Sequence, residues 1–260
     1  MGDLTTVDLD LMQWVLFAVA GIITGVINTL AGSGSLITLP LFIFLCGLSA
    51  PVANGTNRIG ALIQNVVGVY SLRKTGQLEM KGSVWLLVPI VIGGIAGALV
   101  ATDLNEEAMN YTLGGLMVFM LFVLLLDTKR WIRESAVDEK RNKRPVTLLI
   151  FLAIGFYGGF IQAGVGIFLL AALVLSAHYS LVAANGIKLL VVGLINIPSL
   201  IIFLYYDQVH IVFGLLMALF QAIGAVIGVK VIAKIPNANV WIYRLLIVIV
   251  VISAVKFFVG

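Results

Sequence analysis

Acidic side chains are missing from the long apolar runs of this 260-residue chain. All twelve Asp and Glu residues fall at the edges of these runs or between them, and His178 and His210 also lie at segment ends. A carboxylate or His at membrane depth is the usual proton carrier of a membrane protein, so this chain offers no acidic candidate for that role. It also has no HExxH motif, no Cys/His cluster and no plausible Ser-His-Asp set, which argues against hydrolase chemistry and a metal site.

Cysteine and nucleotide-binding motifs are equally scarce. The single cysteine, Cys46, lies in an apolar run, which excludes an intramolecular disulfide framework and favours a role as a small core residue. No G-x-G-x-x-G follows a predicted strand, and no G-K-[ST] occurs, so a Rossmann or P-loop site is excluded. The sequence therefore predicts a protein that is not an enzyme and that holds no cofactor and no metal.

Apolar residues are abundant: 61% of the chain is hydrophobic and only 11% is charged. The mean hydropathy of +1.14 is too high for a soluble domain. The apolar runs are also too long for the strands of a membrane barrel, so the pattern predicts an all-α polytopic membrane protein. The net charge of +4 comes from basic residues beside these runs, where membrane orientation explains them better than nucleic-acid binding does.

Two of the apolar segments are too long for one crossing of a bilayer, which takes about 20 residues. Both are interrupted by glycine, at 31–35 and 162–166. Each is predicted to form two short helices that meet at a flexible tip. The segments are 12–47, 50–72, 83–102, 108–127, 146–177, 179–205, 209–233 and 238–259.

The two halves of the chain repeat each other. Asn54 in Ala-Asn-Gly-Thr-Asn-Arg and Asn185 in Ala-Asn-Gly-Ile-Lys are 131 positions apart, the difference between 185 and 54. The same offset relates Gly93 and Gly97 to Gly224 and Gly228, small-residue pairs that let helices pack closely. The predicted organisation is a first repeat over 1–127, a basic loop over 128–145 and a second repeat over 146–260.

Charges in the connections predict how the chain crosses the membrane. Cytoplasmic loops of membrane proteins carry an excess of Lys and Arg. Loops 72–82 and 128–145 are basic, whereas connections 103–107 and 206–210 carry acidic residues and no Lys or Arg. The span at 50–72 then runs inward and its copy at 179–205 runs outward. We therefore predict two inverted repeats, each a glycine-broken helical hairpin followed by three transmembrane helices, as in many secondary transporters.

Arg58 and Lys188 are the two charges that lie well inside apolar segments, at nearly equivalent places in the repeat. Both are eight to ten residues into their spans, about 12–15 Å at 1.5 Å per residue, close to the middle of a ~30 Å core. Since no acidic residue lies within a span, their partner is predicted to be an anionic ligand. The alternative is that they extend to an interface or bind backbone carbonyls.

Polar side chains and the two glycine breaks extend this candidate site. Side chains of Asn and Thr can donate hydrogen bonds to an oxyanion, although they also serve as contacts between membrane helices. The second half-helix after each break would present free N–H groups and a partial positive charge, unless the break is only a kink. The predicted substrate-binding residues are Arg58, Lys188, Asn54, Thr56, Asn57, Asn185, Gly32, Ser33, Gly34, Ser35, Gln162, Gly164 and Gly166.

The glycine break followed by Ala53-Asn-Gly-Thr-Asn-Arg58, with its echo Ala184-Asn-Gly-Ile-Lys188, resembles the TauE/SafE family of sulfite and organosulfonate exporters. The resemblance extends from about Trp14 to Phe258. It implies an inner-membrane, multi-pass permease that exports sulfite, an organosulfonate or thiosulfate. An anion channel and a non-transporting membrane scaffold or assembly factor stay open as alternatives. The expected partners are a small anionic substrate and the lipid bilayer, with a homo-oligomer possible.

Overall fold

The computed structural model describes residues 9–74, 76, 84–125, 145–230 and 238–259. These residues form helices and turns, and they contain no strand, which confirms the predicted all-α class. The predicted basic loop, apart from Pro145, lies outside the described residues. The helices are α1 (Leu11–Ala31), α2 (Ser35–Phe44), α3 (Ala50–Lys74), α4 (Val84–Thr102), α5 (Glu106–Leu125), α6 (Pro145–Phe160), α7 (Val165–Ala171, continued by a π-helical turn over Ala172–Ser176), α8 (Leu181–Tyr205), α9 (Ile211–Lys230) and α10 (Ala238–Val259).

Five of the described helices are long and apolar enough to cross a membrane: α1, α4, α5, α8 and α9. Helix α3 has 25 residues but is not among them, although the sequence predicts a span there. The reason is its composition, since a long stretch of polar residues from Asn54 to Arg58 and again at Gln64 and Asn65 is buried by other helices. The first half of α3, residues 50–61, therefore lies in the interior of the bundle.

Both predicted glycine breaks are confirmed. Helix α1 ends at Ala31 with Gly32 as its left-handed cap (φ 75°), and α2 begins at Ser35. Helix α6 ends at Phe160 and α7 begins at Val165, after positive φ angles at Gln162 and Gly164. The expectation of two short helices in segment 12–47 is wrong in one respect. Helix α1 has 21 residues, enough to span a bilayer by itself.

The helix pairs in contact follow the sequence repeat. The equivalent helices of the two halves are α1 and α6, α2 and α7, α3 and α8, α4 and α9, and α5 and α10. The most extensive contacts are α4 with α6 and α1 with α9, and exchanging equivalents converts one of these pairs into the other. The same exchange converts α3–α9 into α8–α4 and leaves α3–α8 and α5–α10 unchanged. Most of the packing is thus between the halves.

Helices α3 and α8, the central equivalent pair, are antiparallel. Early residues of α3 meet late residues of α8, since Gly55 adjoins Phe203 while Gly68 adjoins Leu189. An antiparallel equivalent pair is what inverted repeats require. The inverted orientation of the complete halves across a membrane stays a prediction.

Glycines allow the closest helix crossings, as the small-residue pairs predict. A Cβ atom added to Gly97 would overlap the backbone of Phe156 on α6, and one added to Gly224 would overlap the backbone of Ile22 on α1. The two contacts join equivalent helix pairs, α4 with α6 and α9 with α1. They bring the backbone of each broken hairpin against the opposite half, which positions the two breaks at the centre of the bundle.

Candidate anion-binding site

The two glycine breaks touch each other. The Gly166 N–H donates a hydrogen bond to the Gly32 carbonyl oxygen at 3.1 Å. A Cβ atom added to Gly32 would lie 2.6 Å from the Cα atom of Gly166, a distance that side chains do not tolerate. The predicted glycines at 32 and 166, which lie in different halves of the sequence, are therefore brought together at one crossing point.

Lys188 binds the end of the first broken helix. Its side chain is 1% exposed, and its Nζ atom donates to the carbonyl oxygens of Asn28 and Thr29 on α1, both at 3.2 Å. The Oδ1 atom of Asn185, one turn earlier on α8, accepts a third bond at 2.6 Å. The ammonium from the second half thus caps the C-terminal end of α1 in the first half, where a cation is electrostatically favoured.

Arg58 caps the C-terminal end of α6, the helix that precedes the second glycine break. Its buried guanidinium donates to the carbonyl oxygens of Gly158 at 2.6 Å and Gly159 at 2.8 Å, in the last turn of α6. Its Nη2 atom also donates to Asn54 Oδ1 at 3.2 Å, and the Phe203 ring centroid lies 5.1 Å from its Cζ atom. The Nε atom is buried and has no hydrogen-bond partner. The Nε–H group of Arg58 is therefore a buried donor that the protein leaves unused.

The duplicated asparagines orient the two cations. Asn185 accepts from Lys188, and Asn54 accepts from Arg58 while its own Nδ2 atom donates to the Phe160 carbonyl oxygen at 2.8 Å. Each cation thus has a nearby asparagine on its own helix and backbone acceptors on the opposite half. In this structure both cations bind backbone carbonyls, which is one of the alternatives predicted from the sequence.

Asn57 stands at the centre of a polar cluster that joins α2 to the second glycine break. Thr38 Oγ1 donates to Asn57 Oδ1 at 2.6 Å, which directs the Asn57 Nδ2 donor toward Ser35 Oγ at 3.1 Å and Gln162 Oε1 at 3.3 Å. Asn57 is the repeat equivalent of Lys188, since 188 minus 57 is 131. The candidate site is therefore asymmetric: an amide occupies one of the equivalent positions and an ammonium the other.

The remaining break residues differ in their roles. Ser33 is fully buried, and its Oγ atom has no hydrogen-bond partner. The Gly34 N–H donates to Asn28 Oδ1 at 3.3 Å. Gly164 has a φ angle of 71°, and a Cβ atom there would collide with the Met120 side chain. Ser33 thus adds a second unused polar group near the first break, whereas Gly34 and Gly164 shape the backbone.

Thr56 is the predicted site residue that the structure places elsewhere. Its Oγ1 atom accepts a hydrogen bond from the His210 N–H at 2.8 Å, on the connection that precedes α9. Thr56 therefore stabilises a contact between α3 and this connection. The structure does not place it with Asn57 and the glycine breaks.

Three residues that support the site were not predicted from the sequence. Asn28 binds the Gly34 N–H and donates to Gln64 Oε1 at 2.9 Å, while Thr38 orients Asn57 and Phe203 faces Arg58. Asn28 has a detectable signal, because Gly21 and Gly25 align with Gly155 and Gly159 at an offset of 134 residues, and the same offset pairs Asn28 with Gln162. No comparable sequence signal distinguishes Thr38 or Phe203.

The two cations have no carboxylate to balance them. The buried side chains of the described residues include Arg58 and Lys188 but no Asp or Glu. Among the described residues, both cations donate to backbone carbonyl oxygens and to amide oxygens of asparagine. Within the described part of the chain there is also no group of three or more His, Cys, Asp or Glu residues that would hold a metal ion. The charge of the site is therefore positive.

Known proteins resemble this chain along most of its length. Residues 17–257 match the family described as "Sulfite exporter TauE/SafE". The probable membrane transporter protein ORF9 of Sinorhizobium sp is 28% identical over 213 residues, covering 81% of this chain and 79% of the relative. The probable membrane transporter protein YfcA of Escherichia coli K12 is 25% identical over 222 residues, covering 85% and 81%.

A probable membrane transporter protein of Haemophilus influenzae is 26% identical over 231 residues and covers 87% of each chain. No solved structure matches this chain significantly. The helical fold, the apolar spans and these relatives agree that the chain is a membrane transporter and not an enzyme. The chain belongs to the sulfite exporter TauE/SafE family.

Proposed function

We propose that this protein is a permease of the cell inner membrane that exports a small sulfur-containing anion, such as sulfite, an organosulfonate or thiosulfate. The substrate would bind where the two glycine breaks cross, between two inverted repeats. The family description supports the sulfur anion, and the site residues support the charge class.

The observation that carries this proposal is the pair of buried cations without a buried carboxylate in the described residues. Burying a charge away from water is unfavourable unless it is paired, and carbonyl dipoles compensate a full positive charge only in part. An anion at the crossing would supply the missing negative charge. The unused Arg58 Nε donor and the unpartnered Ser33 hydroxyl are the groups that remain for it.

Directional hydrogen bonds would come from the cluster around Asn57. Its Nδ2 donor already faces Ser35 and Gln162, with Oδ1 held by Thr38. An oxyanion has only acceptor atoms at its surface, so a rigid set of amide and hydroxyl donors fits it better than a set of carboxylates. Lys188 and Arg58 flank this cluster and supply the positive charge.

Transport would require the two breaks to separate. The cations hold each hairpin against the opposite half, so an anion that attracts the same cations competes with the α1 and α6 carbonyls. Loss of these contacts would allow one repeat to rock against the other. A negative cell interior favours outward movement of an anion, which agrees with export.

The Gly32–Gly166 contact favours a carrier over an anion channel. A hydrogen bond between the breaks closes the centre of the bundle, whereas a channel needs a continuous polar path. Electrical recording of the protein in lipid bilayers separates these functions, because a channel gives single-channel current steps and a carrier gives slow, saturable flux. A non-transporting scaffold would give neither.

Calorimetric binding to the purified protein tests the proposal. Sulfite, thiosulfate and a sulfonate are compared with an uncharged analogue of similar size. Lys188→Gln should weaken binding at least 30-fold, since removing one member of a buried charge-assisted interaction costs roughly 2–5 kcal/mol. The matched control is Lys230→Gln, which removes an exposed lysine at the end of α9.

Folding must be monitored in the same variants, because Lys188 also caps α1. Lys188→Arg retains the charge and should restore part of the affinity. Equal binding by Lys188→Gln and Lys230→Gln, with both proteins folded, would show that the anion site lies elsewhere.

A further inference from the structure

An apolar groove runs between α3 and α8 on the outside of the bundle, away from the glycine breaks. It has a volume of about 300 Å³ and is lined by the second half of α3 and the middle of α8. Val66 and Tyr70 on its rim are 60% and 57% exposed. The lining extends from Leu62 to Arg73 on α3 and from Leu189 to Ile197 on α8.

We propose that this groove binds an anionic phospholipid of the cytoplasmic leaflet, with an acyl chain along α3 and the headgroup phosphate on Arg73. Apart from Asn65, Tyr70 and Arg73, the lining residues are aliphatic or glycine, which suits a hydrocarbon chain. This binding site is separate from the anion site and does not depend on it.

The length of the groove agrees with one leaflet. Leu62 and Arg73 are eleven residues apart on the same helix, which corresponds to about 17 Å at 1.5 Å per residue. Half of a hydrocarbon core is about 15 Å. A chain whose headgroup lies at Arg73 would therefore reach the inner end of the groove near the middle of the membrane.

The residues at the cytoplasmic end of the groove select the headgroup. Arg73 and Lys74 occupy the last turn of α3, and the Lys74 ammonium lies 4.7 Å from the centroid of the Tyr70 ring. A tyrosine beside basic residues is typical of the membrane interface. Basic residues at the cytoplasmic end of a groove between membrane helices attract anionic headgroups, each contributing roughly fivefold in affinity. The charge complementarity favours a phospholipid with a net negative charge over a zwitterionic one.

Native mass spectrometry of the full chain in detergent tests this proposal. The protein is titrated with phosphatidylglycerol and with phosphatidylcholine of the same acyl chains, and bound lipid is counted. We expect the wild type to retain phosphatidylglycerol preferentially and Arg73→Ala to lower that preference about fivefold. Lys230→Ala, which removes an exposed cation at the end of α9, should leave it unchanged within a factor of two.

A second variant tests the apolar part of the groove. A Cβ atom at Gly193 would make an ordinary van der Waals contact with the Asn65 Cβ atom, at 3.5 Å, so the backbone itself does not exclude a substitution there. Gly193→Leu should occupy the groove beside Asn65 and lower the retention of both lipids, while thermal unfolding verifies that the variant is folded.

Three results would overturn the proposal. The first is equal retention of the two lipids by the wild type, and the second is equal loss in Arg73→Ala and Lys230→Ala. The third is a dimer in the wild-type spectra that Gly193→Leu abolishes without changing lipid retention. That result would identify the groove as an interface between two copies of the chain.

Discussion

Removal of the Arg58 guanidinium should destabilise the whole bundle, because this side chain holds α6 to α3. The Gly158 and Gly159 carbonyls lie in the last turn of α6, where a helix provides no N–H partners of its own. Arg58 donates to both of them from a helix 100 residues away in the sequence. In Arg58→Ala both carbonyls lose this donor in a buried environment.

The magnitude follows from these two acceptors. An unsatisfied buried acceptor costs about 1–3 kcal/mol, so two of them predict a loss of roughly 2–6 kcal/mol in the free energy of unfolding. Asn54 contributes less to this loss, since its Nδ2 atom keeps the bond to Phe160. Arg58→Lys should have an intermediate effect, because an ammonium retains the charge but not the planar fork that binds two adjacent carbonyls.

Thermal and denaturant unfolding of the purified protein in detergent measure this effect. Lys230→Ala is the control, since it removes an exposed cation at the end of α9 and should change the unfolding free energy by about 0.5 kcal/mol or less. If Arg58→Ala unfolds at the same denaturant concentration as Lys230→Ala, the guanidinium does not secure the end of α6. The capping role assigned to it would then be refuted.

Two further predictions concern the glycine crossing and the topology. Gly166→Ala should abolish folding or strongly destabilise the protein, because its Cβ atom would collide with the Gly32 backbone. The control is Gly115→Ala, whose Cβ atom has no neighbour within 4 Å and which should stabilise helix α5 by up to about 1 kcal/mol. Similar unfolding of the two variants would contradict the close contact between Gly32 and Gly166. Cysteine labelling of intact cells, after replacement of Cys46, should modify both termini and residues 103–107 from outside but leave 128–145 protected, as the loop charges predict. A cytoplasmic N-terminus would contradict the inverted repeats.

Much of the architecture could be predicted from the sequence because its causes are local. Long apolar runs predict membrane helices, and the glycines at 31–35 and 162–166 mark the positions where α1 and α6 end. The 131-residue repeat predicts which helices are equivalent, and the main contacts between helices follow the same symmetry. Two charges in apolar surroundings identify Arg58 and Lys188 as special without any knowledge of their neighbours.

The length of α1 and the burial of α3 were harder to predict, and both for one reason. Hydropathy measures how apolar a segment is, and not whether lipid or protein surrounds it. The polar residues of α3 are tolerated because α8 and α9 shield them from lipid. Helix α1 continues to Ala31 because Lys188 and Gly32 donate hydrogen bonds to its last carbonyls. Both causes are contacts with distant parts of the chain.

The partners of the candidate site residues were decided by the tertiary structure alone. Lys188 binds carbonyls 160 and 159 residues away, and sequence spacing carries no information about such contacts. Thr56 and Asn57 are neighbours in sequence, yet successive side chains on a helix point about 100° apart, so Thr56 reaches His210 while Asn57 reaches Gln162. The sequence determined that two cations are buried in this transporter. Only the packing of the two halves determined that the cation of each half caps the broken helix of the opposite half.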